Sequence, residues 1–427
     1  MITDPLRWFL LHGPLRLLPA SMLGAEDDIG RLFLRPPEKG APYREMLTKI
    51  GTAAGIHESA AGLIITGFAE SEEILRSGDW SADQPVAIPA AAGLYRWLTR
   101  RSVPVALDAP ALVFTDPPEH TRLRKLVFPL FTHRAVLSSS DIIAEHTEAV
   151  LADLVGRTDI DLVEDYARKI PIRVVSDFLG FPDLGFEMLD ALGANGAKLL
   201  DVGITFPEYR RGMNAARRFT DFLLDVRKDP DVLGDGFLKS CVRKHLAGEL
   251  TFPELVTLVG FVFAAGFETT VSFIANSIVT VLERGLAEEV LTDGQLSDAW
   301  FEELLRFDSP IQLTHRTARV DTVLGTHAVR AGTGALIWVG ATNYDARAYP
   351  YPGELSVENV AERTSMSFST GVHRCLGASL AKVQSQVAVG AFLTAFPDAR
   401  LRPGRQWRDS VVLHGYVRAP MTLSGGR

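Results

Sequence analysis

A mainly α-helical fold with a few small β-sheets is what this sequence predicts, on three observations. Its 427 residues are 47% hydrophobic and 22% charged, the balance of a globular chain with material for a large core. From His120 to about Leu282 the apolar spacing is mainly that of helices. Strand-like runs are short and few: Gly62–Phe68, Ala335–Asn343 and the C-terminal stretch.

The elements follow in order. Met1–Gly24 holds Trp8, Phe9, Leu10 and Leu11, but Arg7, His12, Pro14, Arg16 and Pro19 interrupt them. That leaves no signal-peptide core and predicts a docked surface segment. After the strand at 62–68, Ser71–Gly78 reads as a short helix, and 81–115, rich in Ala and Pro, as irregular chain. The helical part breaks near Gly180–Pro182 and Pro207 and loops at Asp229–Gly236. Its last helix starts at Thr251-Phe-Pro-Glu254, a capping-box spacing with proline in the first turn, and stops before Gly285. Such a helix is about 50 Å long.

Between Leu255 and Leu282 its only charge is Glu268, so length and hydropathy alone would allow a membrane span. Glu268, Thr269, Thr270, Ser272 and Asn276 lie in its middle, and no basic cluster flanks it. The expectation is therefore the central helix of a soluble protein, buried on all sides, with no membrane span. No repeat, linker or block of like charge divides the chain, which predicts one unit over 1–427; residues 1–60 carry no pattern that assigns them.

A net charge of −8 offers no basic field for nucleic acid or anionic membrane. Cys241 and Cys375 form neither a disulfide framework nor a CxxC site, which points to a reducing, cytoplasmic setting.

The chemistry concentrates in Phe368–Gly377, FSTGVHRCLG, just before a helical run. Cys375 there sits where a helix N-terminus would favour a thiolate. Gly371 and Gly377 would admit a flat partner, and Phe368 could shield the sulfur from water. The pattern F-x-x-G-x-H-x-C-x-G resembles, without a mismatch, the haem-thiolate loop of the cytochrome P450 family. Ala265-Gly-Phe-Glu-Thr-Thr270 resembles that family's oxygen-activating I-helix motif, Glu303-Leu-Leu-Arg306 its E-x-x-R, and Asp116–Val136 its C-helix region. Asp161–Pro182 and Ala341–Ala346 are fainter likenesses.

The resemblance, from about residue 60 to the C-terminus, implies a soluble bacterial haem-thiolate monooxygenase. Its fold would be a large helical body with a long central I-helix and small sheets. It implies haem b with iron on the Cys375 thiolate. His120 and Arg124, four apart on one helix face, would hold the haem propionates together with Arg316 and His373. Ala265 and Gly266 would leave room for dioxygen, Glu268 and Thr269 would deliver protons, and Glu303–Arg306 would be a structural ion pair. The usual third member of that pair's cluster is missing at its expected spacing, leaving Arg363 as the candidate; Tyr344 and Ala346 also depart from the family's usual run.

Electrons would come from NAD(P)H through a ferredoxin or flavodoxin and its reductase. Arg122, Lys125, Arg134, Arg374 and Lys382 are candidates for docking that partner, and the protein is expected to be a monomer. Val262, Ala265, Gly266, Thr269 and Phe273 would line the pocket, with 81–115 and Lys198–Tyr209 as its lid, which predicts an apolar lipid, terpenoid, steroid or alkyl-aromatic substrate. Arg96, Arg100 and Arg101 are candidates for gripping a carboxylate. The rivals are a hydrogen peroxide-driven peroxygenase, against which the intact Glu268-Thr269 pair speaks, and a non-catalytic haem or lipid carrier.

Overall fold

The computed structural model describes residues 3–17, 36–59, 62–83, 92–100, 104–108, 110–137, 139–181, 186–201, 203–234 and 236–423. The principal elements in chain order are α1 (Thr3–Leu17), α2 (Ala41–Thr52), β1 (Ile56–Ser59), β2 (Gly62–Ile65), α3 (Phe68–Arg76) and β3 (Trp80–Ser81). There follow α4 (Ala92–Arg100), α5 (Glu119–Val127), β4 (Asp159–Asp161), α6 (Phe206–Val226), α7 (Phe252–Arg284), α8 (Asp298–Phe307), β5 (Leu313–Ala318) and β6 (Gly334–Trp338). The chain closes with α9 (Ala378–Ala395), β7 (Arg400–Leu401), β8 (Gln406–Trp407), β9 (Tyr416–Arg418) and β10 (Pro420–Thr422).

Two compact units form, each from three separate stretches of chain. The first comprises 1–18, 83–142 and 170–268; the second comprises 19–82, 143–169 and 269–427.

In the first unit α1 is docked by its own side chains. Buried Arg7 pairs with buried Asp108, Trp8 Nε1 donates to the Ile204 carbonyl at 2.8 Å, and Arg217 grips Asp4 at 2.6 Å. Leu10 packs with Tyr95 and Leu98 of α4. That helix corrects the expectation of irregular chain over 81–115. Its apolar stripe is too short to stand out among the flanking Ala and Pro. The side chains of Arg96 and Arg100, and all of Arg101, lie outside the described residues. The helical pattern does break before Pro207, which lies in the first turn of α6 inside the capping box that Thr205 and Glu208 form.

The second unit carries a five-stranded sheet in the order β1-β2-β6-β5-β3 and a three-stranded sheet β7-β10-β4. β4 is a strand inside the stretch read as helical; its three residues pair with β10, about 260 positions later, and carry no local signal. Two strand readings ran too long. β2 stops at Ile65, and Phe68 starts α3 because Asp345 Oδ2 accepts its N–H at 2.8 Å. β6 stops at Trp338 and Val339–Thr342 forms one helical turn, since a continuous apolar run does not distinguish the two.

α7 runs for 33 residues as its caps predict. Thr251 N–H donates to Glu254 Oε2 at 2.7 Å, and Gly285 takes φ +67°, the left-handed stop. It is apolar and long enough to cross a membrane by composition, but most of its apolar core is buried inside the protein.

Candidate functional site

The α7 face in the first unit has an unusual pattern of exposure. Phe263, Phe267 and Glu268 are fully buried, whereas Val262, Ala265, Gly266 and the adjoining Thr269 stay half-buried. Their spacing of three, four and seven residues makes one stripe along the helix. A Cβ on Gly266 would meet Val175 Cγ2 at 3.7 Å, an ordinary van der Waals contact, so the helix backbone is not tightly covered there. Phe261 and Ala264 flank the stripe, also half-buried. Phe273, expected on this face, is buried instead, packed on Phe301 at 5.0 Å.

His120 and Arg124 share a face of α5, the first buried and the second half-buried, while Arg122 and Lys125 point outward. Arg122 pairs with Glu119 and with Glu254, the capping residue of α7. It is therefore engaged within the chain, as is Lys382 with Asp298 at 3.0 Å. Of the five candidate docking cations, Arg122, Lys125, Arg134 and Arg374 are exposed and Lys382 is half-buried.

In the second unit the Cys375 loop is built from beneath. Arg306 and Glu303 are completely buried and joined by two hydrogen bonds of 2.8 Å. Arg306 also donates to the carbonyls of Asn343, Pro352 and Glu354 at 2.8–2.9 Å. Asn343 in turn bonds Met366 N–H at 2.8 Å and Ser367 Oγ at 2.9 Å, and Ser367 Oγ donates to the Leu305 carbonyl. One buried ion pair thus holds the root of the loop.

The third member of that cluster is Asn359, whose Nδ2 donates to Glu303 Oε1 at 3.1 Å beside the Ser356 N–H at 2.8 Å. Arg363, the candidate from sequence, lies 4.5 Å over the Phe68 ring instead. A neutral amide there avoids burying a second guanidinium against one carboxylate. The 3₁₀ turn Val357–Val360 creates this position, and no residue spacing announced it. Tyr344, the departure from the family run, packs over Arg306 at 5.4 Å and donates its hydroxyl to the Phe307 carbonyl.

Above this root Cys375 N–H donates to the Phe368 carbonyl at 2.8 Å, closing the loop on itself. Phe368 stacks on Phe301 at 6.3 Å. Gly371 takes φ +69°, and a Cβ there would lie 2.2 Å from the Leu75 carbonyl oxygen, so only glycine fits. Gly377 is the N-cap of α9 and supplies no side-chain cap. The first N–H groups of α9 therefore keep their positive end two residues beyond the half-buried Cys375. By contrast, burial pushes the Cys241 thiol up to about 12, which keeps it protonated.

His373 is half-buried in the same loop, and Arg316 is buried on β5, its Nη1 donating to the His315 carbonyl at 2.6 Å. Burial, with Arg316 adjacent, lowers His315 to about 4, so it is neutral at pH 7. A half-buried cysteine two residues before an uncapped helix, in a loop closed on the Phe368 carbonyl, fits a thiolate ligand to haem iron.

The Cytochrome P450 family model matches residues 217–409. Cytochrome P450 140 of Mycobacterium tuberculosis is 31% identical over 99% of this chain and 98% of its own length. The vitamin D(3) 25-hydroxylase of Pseudonocardia autotrophica is 32% identical over 74% of this chain and 79% of its own. The crystal structure of CalO2 superposes with a TM-score of 0.79 at 24% identity, covering 94% of this chain and 98% of that one, which shows the fold. The chain belongs to the cytochrome P450 family of haem-thiolate enzymes and is a monooxygenase of bacterial type.

Proposed function

We propose that this enzyme inserts one oxygen atom of O2 into an apolar lipid, terpenoid, steroid or alkyl-aromatic molecule. Electrons would come from NAD(P)H by way of a ferredoxin or flavodoxin and its reductase. The observation that carries this reading is the half-buried stripe Val262, Ala265, Gly266 and Thr269 on α7, most of whose apolar core is buried. Its surface is apolar except for one hydroxyl, and it suits a hydrocarbon skeleton.

When bound, haem b supplies the redox centre at which dioxygen is activated. The Cys375 thiolate would ligate its iron, stabilised by the α9 N-terminus and shielded by Phe368. His120, Arg124, Arg316 and His373 would hold the propionates, giving cationic or hydrogen-bonding partners to carboxylates that are otherwise costly to bury. Gly371 lets the loop pack closely, while Gly377, Ala265 and Gly266 keep bulk away from the ring. Thr269 holds a proton at its hydroxyl, and the buried Glu268 carboxyl replenishes it. Lys125, Arg134 and Arg374, all exposed, would meet an acidic electron carrier.

The deciding test is the carbon monoxide difference spectrum of the reduced protein. Cys375→Ser should lose the red-shifted thiolate band and Cys241→Ser should keep it; the reverse result removes Cys375 from the site. Oxygen consumption with a ferredoxin–reductase pair, across a panel of those ligand classes, then tests the reaction. Turnover with hydrogen peroxide alone would favour the peroxygenase.

A further inference from the structure

α1 and α4 lie against each other, and each keeps apolar side chains outside as well as within. Inside, Leu10 of α1 packs with Tyr95 and Leu98 of α4, and the Arg7 guanidinium lies 5.8 Å over the Tyr95 ring. Outside, Leu6 and Phe9 are 37% and 40% exposed, and Leu94 and Trp97 are 45% and 49% exposed. In both helices the exposed pair is three residues apart and directly precedes a buried pair, Arg7 and Leu10 in α1, Tyr95 and Leu98 in α4. Each helix thus carries a buried stripe and, beside it, an apolar stripe that packing leaves exposed. Single exposed apolar side chains are ordinary; two such pairs on adjoining helices mark a surface that meets something else.

The surface is held from beneath. Arg7 pairs with Asp108, Arg217 with Asp4 at 2.6 Å, and Trp8 Nε1 with the Ile204 carbonyl at 2.8 Å, and none of these contacts draws on Leu6 or Phe9. The charge there also departs from that of the whole chain. From Gln84 to Leu107 the sequence holds Arg96, Arg100 and Arg101 and no aspartate or glutamate, in a protein of net charge −8. Tryptophan and leucine interleaved with arginine on a short helix suit the headgroup layer of a bilayer, rings at the interface and guanidinium groups on phosphate. The acidic remainder of the protein is repelled by the same surface, which orients the molecule on it.

We propose that the α1–α4 face docks the enzyme on an anionic phospholipid surface. Leu6, Phe9, Leu94 and Trp97 enter the headgroup layer, and the arginines of 96–101 meet phosphate. The contact is peripheral and reversed by salt, since α7, the helix long enough to span a bilayer, has most of its apolar core committed to the interior.

The test is co-sedimentation of the holoenzyme with vesicles of phosphatidylcholine alone, or with about 30% phosphatidylglycerol, at low and high salt. The parent should bind the anionic vesicles, and about fivefold more weakly or less when the anionic lipid is left out or salt is raised. Trp97→Ser and Leu94→Ser should each weaken that binding about fivefold, whereas Leu246→Ser, at an exposed leucine closing the helix Phe237–Leu246, should not. All three should keep the parent's carbon monoxide difference spectrum. Equal binding by the three variants overturns the proposal, as does a parent that ignores anionic vesicles. Light scattering identifies the rival: a parent that dimerises without binding vesicles, and a Trp97→Ser enzyme that stays monomeric, would make this face a contact between two copies of the chain and overturn lipid docking. If Trp97→Ser fails to retain haem, Leu94→Ser and Leu6→Ser decide.

Discussion

Two buried clusters, one in each unit, treat their polar groups in opposite ways. Around Cys375 nearly every buried polar atom of the supporting cluster is spent: Arg306 alone makes five hydrogen bonds, and Asn343 and Asn359 relay it to neighbouring turns. In the other unit, under α1, His12 and Tyr209 are buried edge to face at 5.8 Å. Among the described residues neither ring nitrogen of His12 nor the Tyr209 hydroxyl has a hydrogen-bond partner. A saturated network has one geometry and fails when a member is removed, whereas an under-satisfied apolar region can repack around change. The difference suits a rigid clamp beneath the Cys375 loop and a region under α1 that tolerates change.

The largest expected effect tests the clamp. Arg306→Ala leaves Glu303 buried and uncompensated, which typically costs about 3–5 kcal/mol. Urea unfolding should show that loss together with reduced haem retention. A variant within 1 kcal/mol of the parent would show that the network is decorative.

The next tests the under-satisfied region through pH. Burial lowers the His12 pKa from 6.5 to about 4. The unfolded chain therefore takes up this proton at higher pH than the folded chain does. The associated stability is complete above pH 6.5, falls as pH drops, and is gone below about 4. The difference corresponds to about 3 kcal/mol at most. His12→Phe should flatten the stability profile between pH 6.5 and 4; an unchanged slope would mean that His12 is hydrated in solution.

The smallest concerns coupling, on the helix that runs through both units. Thr269→Ala should bind ligand and consume NAD(P)H but release a several-fold larger share as hydrogen peroxide, while Glu268→Gln should slow turnover itself. Product formed per NAD(P)H consumed, together with the rate, separates the two residues. Parent-like values in both variants would take the pair out of the mechanism.

Legibility followed the same division. The Cys375 loop, the Glu303–Arg306 pair and the caps of α7 could be read because each is a local pattern whose physics is contained within ten residues or so. Asn359 could not be read, since a 3₁₀ turn brings it to Glu303 from 56 positions away. The start of α3 escaped for the same reason, its cap being an aspartate 277 positions downstream. The first 60 residues looked silent because what they do is complete distant elements: Arg7 meets Asp108, and Lys39 Nζ meets the carbonyls of Arg408, Ser410 and Leu413, which no side-chain code reveals. The helical spacing grouped Val262, Ala265, Gly266, Thr269 and Phe273, but which of them stay half-buried is a tertiary fact, and Phe273 does not.

The reach of Lys39 also orders events in time. Its partners lie 369 to 374 residues further along the chain. At about 5–20 residues per second a ribosome would need roughly 20–70 s to deliver them after Lys39 itself is made. Through that interval the ammonium has no loop to close, and β1, β2 and β3 wait for β5 and β6 to complete their sheet. A contact of such high order forms only after intervening segments have already folded, so the N-terminal strap is among the last parts to lock.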